Sequence, residues 1–121
     1  MTMMQHVLIR LRGDRSLESY AAEWGNKWED RAERIGELWV AHRYWSGPPA
    51  DESIGPGRQL DWGSFVYELS LDEIRGLLPP RPDLGAEHDW PELAERDEAS
   101  HAMLDSLSPA GRYAVVWVEC A

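Results

Sequence analysis

Residues able to do chemistry are few and scattered in this sequence. The densest polar stretch is "EHDWPELAERDEASH", which offers Glu87, His88, Asp89, Glu92, Glu95, Asp97 and His101. On a helix, Asp97 and His101 stand one turn apart, as do His88 and Glu92. Such spacing can chelate a metal ion. It also arises in any acidic helix, and no His-Glu-x-x-His or EF-hand pattern supports it. The expectation is a solvated acidic face, with no metal and no cofactor.

For proton transfer the notable pair is His6 with Glu119. Each falls on an expected strand, at opposite ends of the chain, and strand register decides whether they meet. A histidine near neutrality and a carboxylate would suffice as acid and base. Arg10, Arg12 or Arg43 would then bind an anionic group. Cys120, the single cysteine, has no neighbouring base or cysteine to activate it. No G-x-S-x-G elbow, P-loop or dinucleotide fingerprint occurs.

The elements that must position these residues follow from pattern. "HVLIRLR" (6–12) alternates, with Val7, Ile9 and Leu11 on one face. Ser16 is a plausible N-cap for a helix over 16–37, whose apolar stripe is Leu17, Tyr20, Ala21, Trp24, Trp28, Ala32 and Ile35. Gly25 and Asn26 mark a possible break inside it. Residues 38–45 read as a second strand, with Leu38 and Val40 inward and Trp39, Arg43 and Trp45 outward. A Gly- and Pro-rich loop (46–59) precedes a third strand over 60–70. Ser70 and Glu73 have capping-box spacing for a short helix stopped by Pro79. After a loop over 79–90, Asp89 and Glu92 repeat that spacing ahead of a helix over 89–109. Its apolar side is thin: Leu93, Met103, Leu104 and Leu107. Residues 111–120 form the fourth strand.

The order β-α-β-β-α(α)-β is ferredoxin-like. It predicts one α+β domain over 1–121, a four-stranded antiparallel sheet and helices on one face. The open face would carry Trp39, Arg43, Trp45, Trp62, Tyr113 and Trp117 with Arg10 and Arg12. Such a patch calls for a cover. A second copy of the chain, another protein or a small aromatic ligand would serve. In the rival arrangement both faces are covered internally and the tryptophans are core.

Charge narrows the partners. The 121 residues carry a formal net charge of −10, which opposes nucleic acid and anionic membranes. Residues 72–105 hold ten acids and three arginines, whereas residues 1–15 hold three arginines and one aspartate. One lysine against eleven arginines hints at a GC-rich bacterial genome. Cysteine usage and the lack of a signal-peptide pattern fit the cytoplasm. The leading expectation is a small acidic protein that acts by binding, as an inhibitor or immunity-type protein would against a basic partner. The alternative is a dimeric enzyme or carrier for a small aromatic molecule, an isomerase, cyclase or monooxygenase, with His6 and Glu119 moving protons.

Overall fold

A computed structural model describes residues 3–48 and 54–120; residues 49–53 of the expected 46–59 loop lie outside the described residues, as does the side chain of Cys120. The first helix, α1 (Leu17–Trp24), begins as expected, with the Ser16 hydroxyl accepting from the Ser19 amide. It stops at Gly25, whose φ of +48° suits glycine far better than any other residue. A 3₁₀ turn (Gly25–Lys27) and a single turn of helix, α2 (Trp28–Arg31), follow. Ala32 is extended, and Glu33–Glu37 form a strand, β2, paired antiparallel with β1 (Met3–Arg10). The end of the expected 16–37 helix is therefore strand. The break at Gly25 frees residues 33–37 to take up the edge hydrogen bonds of β1.

Residues 38–45, expected as a strand, are irregular and then a 3₁₀ turn (His42–Tyr44). Their backbone groups find partners elsewhere. The Leu38 amide makes a last bond to the His6 carbonyl (2.9 Å); the Trp39 amide turns to the Ser100 hydroxyl (3.2 Å) and the Ala41 amide to the Leu77 carbonyl (2.8 Å). Leu38 and Val40 are buried as expected, but on the sheet face expected to be open, against Leu8, Val115 and Trp117 and not beside Val7, Ile9 and Leu11. Trp39, Arg43 and Trp45 point outward.

The expected strand over 60–70 is a hairpin of β3 (Arg58–Asp61) and β4 (Ser64–Leu69). It turns at Trp62–Gly63, where the Asp61 carboxylate accepts from the Gly63 amide (3.1 Å). Helix α3 (Leu71–Leu77) carries the full capping box of Ser70 and Glu73. Helix α4 (Pro91–Asp105) starts two residues later than expected, with Pro91 in its first turn and no side-chain cap from Trp90. The last strand is β5 (Tyr113–Cys120).

The molecule is α+β, with one antiparallel sheet in the order β2-β1-β5-β4-β3. The first and last strands are neighbours, as expected. The four-stranded ferredoxin-like topology is not found, because β1 pairs directly and antiparallel with the strand that follows its helices.

Helices also cover both faces. On one, Tyr20, Ala21, Trp24 and Trp28 pack against Val7, Ile9, Val66, Ala114 and Val116. On the other, Leu38, Val40, Tyr44, Ile74, Leu77 and Leu104 pack against Leu8, Leu69, Val115 and Trp117. The open face of the ferredoxin-like reading is thus filled by α3, α4 and the 38–44 segment. A sheet-to-sheet dimer loses its geometric basis with it. Full burial of side chains such as Leu8, Ile74 and Val116 contributes about 1.5–3 kcal/mol each.

Candidate functional site

The residues singled out for chemistry are dispersed by this fold. His6 lies opposite Trp117 in the β1–β5 register, and Glu119 opposite Met4. The pair is therefore diagonal on one face, but in different surroundings. His6 is buried, its ring edge-on to Trp117 at 5.0 Å and its Nε2–H donating to the Tyr44 carbonyl (3.2 Å). Burial pushes its pKa down to about 4, and the bond to Tyr44 only partly opposes this. It is a neutral anchor for the 42–44 turn at pH 7. Glu119 is exposed at the sheet end.

Arg10 faces Tyr113 at the other end of the same strands, six residues from Met4, or ~20 Å along an extended chain. Arg10 and Arg12 both reach Glu33, Arg12 through two hydrogen bonds. Tyr113 is buried and donates to the Ser108 carbonyl (2.7 Å). Arg43 lies 4.7 Å over the Tyr44 ring, and Arg96 lies 4.4 Å over Trp39. The Trp45 indole donates to the Val40 carbonyl (3.3 Å) and packs on His42. Trp62, at the hairpin tip, is 89% exposed, whereas Trp117 is wholly buried. These residues form no common patch.

A different surface does gather. Pro79 and Pro80 end the run after α3, and the chain turns tightly over 83–88. Asp83 holds that turn: its carboxylate accepts from the Gly85 amide, and its carbonyl from the Ala86 amide and from His88 Nε2–H. The first turns of α4 follow at once. This arrangement leaves Trp90 (69%), Leu84 (52%) and Leu93 (43%) exposed. Two depressions lie among them and share His88 and Ala94. One, of about 250 Å³, runs between Pro82, Trp90, Leu93 and Asp97; the other, of about 120 Å³, lies under Leu84, Pro91 and Glu95.

Carboxylates surround these apolar groups. Asp83, Glu87, Asp89, Glu92 and Glu95 form no ion pair among the described residues, and residues 82–95 contain no lysine or arginine. Asp97 lines the larger depression. Its Oδ1 is buried without a hydrogen bond, and Arg96, at 3.6 Å, is too far to supply one.

The second half of α4 is arranged differently. Arg81 bonds both Glu98 and Asp105, and Arg75 bonds Asp105 (2.8 Å). Hydrogen bonds from Arg81 hold both carboxyls below their ordinary values. His101 is buried, with Nε2–H donating to the Pro79 carbonyl (2.7 Å) and Nδ1 accepting from Arg75 (3.2 Å). Both ring nitrogens are engaged, so the Asp97–His101 spacing serves packing. Among the described residues, no three His, Cys, Asp or Glu side chains converge as a metal site would need.

The acidic stretch was visible in the sequence, but the exposure of Trp90 and Leu93 was not. Leu93 lies eleven residues before Leu104, in helical phase with it, and reads as one more core residue. The core takes Leu104, with Met103 and Leu107 against it, and ends before Leu93. Among the described residues, no helix is long and apolar enough to cross a membrane. Compared with known proteins, the chain matches no family model, no curated protein and no solved structure.

Proposed function

We propose that this protein acts by binding a basic partner protein through the surface formed by residues 82–97. One observation carries the reading: exposed Leu84, Trp90 and Leu93 stand among five carboxylates that form no ion pair among the described residues. Aromatic and apolar anchors supply contact energy, while unpaired charge steers encounter and selects the partner's sign. The complementary ligand is a protein segment with lysines or arginines around one or two apolar side chains. Masking a basic cleft in this way is what an inhibitor or immunity-type protein does, and a cytoplasmic setting suits it.

A synthetic amphipathic peptide of leucine and arginine serves as a probe in an NMR titration. The expected shifts concentrate on the amides of residues 84–97 and shrink steeply as salt rises. A glutamate-for-arginine version of the peptide leaves the spectrum unchanged. Equal shifts at the exposed acids Glu29 and Asp30 of α2, or salt-insensitive binding, would remove the proposal.

A further inference from the structure

A second concavity lies at the far end of the sheet, remote in sequence from residues 82–97. The β1–β5 and β4–β5 registers place Met4 opposite Glu119 and Phe65 opposite Trp117, with Tyr67 next along the same face. The Ser46–Pro48 turn closes over them, tied down by the Met4 amide donating to the Trp45 carbonyl (3.0 Å) and the Gly47 amide to the Tyr44 carbonyl (3.3 Å). The open-sided groove so formed has a volume of about 330 Å³, within the range of small-ligand pockets.

Tyr67 makes one tightly packed wall. The Tyr67 ring is wedged edge-on against Trp117 at 5.1 Å, and Gly57 lies so close on its other side that a Cβ there would fall 2.3 Å from the ring. Glu119 is the one ionisable carboxylate of the lining, and its side chain makes no ion pair or hydrogen bond with the described residues. The buried indole of Trp117, edge-on to Tyr67, brings no charge to the lining. A neutral His6, not a cation, lies on the other side of that indole. The electrostatics of the lining are thus one negative charge beside the faces and edges of two aromatic rings.

We propose that this pocket binds a small organic amine, a protonated amino group on a flat apolar body. Glu119 pairs with the ammonium, and Phe65, Tyr67 and Met4 contact the body. An ammonium beside aromatic rings gains a cation–π contribution as well as the ion pair. An anion of the same shape would meet only Glu119 and is repelled.

The test uses 2-phenylethylamine and, as the reversed-charge control, phenylacetate, each titrated into the 15N-labelled protein. The expected result is saturable shifts of the Gly47, Gly63 and Glu119 amides with the amine and none with the acid. Glu119→Gln, an exposed substitution whose spectrum reports its own folding, weakens the amine about tenfold, a loss of one ion pair. Phe65→Leu, which narrows the wall but keeps it apolar, weakens it less. The proposal is overturned if the amine gives no saturable shift at this end, if phenylacetate binds equally well, or if Glu119→Gln binds the amine unchanged.

Discussion

The two halves of α4 are equally acidic and have opposite fates. In the second half Glu98 and Asp105 are bonded by Arg81 and Arg75, and His101 is locked between Arg75 and Pro79. In the first half Asp97 has Arg96 at 3.6 Å, but Glu92 and Glu95 form no ion pair among the described residues, and Trp90 and Leu93 stay exposed. Negative charge alone therefore says little about function. What distinguishes a working surface is whether its charges are already committed within the fold. The second half holds α4 to α3; Glu92, Glu95, Trp90 and Leu93 of the first half take no part in that tie.

The largest effect that sharpens this contrast should come from His101→Ala. It strips two hydrogen bonds and leaves a cavity beside Leu104, so it should lower unfolding stability by about 2–4 kcal/mol in urea denaturation. A loss below 0.5 kcal/mol, the level of an ordinary surface change, would break the contrast from its structural side.

Acid should act next, in two separable windows. His6 has a folded pKa near 4 against an ordinary 6.5. The unfolded chain binds that proton first, so stability falls as pH drops from 6.5 towards 4, by up to about 3 kcal/mol. His6→Gln, which can still donate to Tyr44, should flatten that part of the curve. The Arg81 pairs respond lower. Their carboxyls have depressed folded values, so their contribution is present at neutral pH and is lost only as pH falls below the ordinary carboxylate range. Arg81→Ala should shrink this second loss, Asp105 keeping Arg75 and Glu33 keeping Arg12, and leave the first unchanged, as read by denaturation at stepped pH.

The smallest stability effect should come from the first half. Trp90→Ala or Leu93→Ser should change stability within about 0.5 kcal/mol, as exposed positions do. Either change should still abolish the peptide-induced shifts at residues 84–97. A large destabilisation instead would make both residues structural and erase the distinction between the halves.

Much of the local structure was legible. The Ser16 cap, the Ser70–Glu73 capping box and the shared face of Val7, Ile9 and Leu11 depend on neighbours in sequence, and each is where pattern put it; Leu38 and Val40 are buried as expected but on the other face. The neighbouring first and last strands were also anticipated. What failed depended on distant partners. Residues 38–45 have strand-like composition, but α3 and α4 supply their hydrogen bonds. The sheet's second face looked open because tryptophan is as common in cores as on interfaces, and only the path of the 38–44 segment decides between them. Leu93 misled for a related reason: helical phase reports which side of a helix a residue occupies, not how far the core extends beneath it.

The docking surface proposed above includes the first half of α4 and excludes the second. The most direct measurement places a photoreactive side chain at exposed Leu93 and, separately, at exposed Ala102, and irradiates each in the native host. A covalent adduct with a basic protein is expected from position 93, reduced when a lysate of that host is irradiated at high salt, and none from position 102. Equal adducts at both positions, an acidic protein at 93, or no adduct at 93 would contradict it.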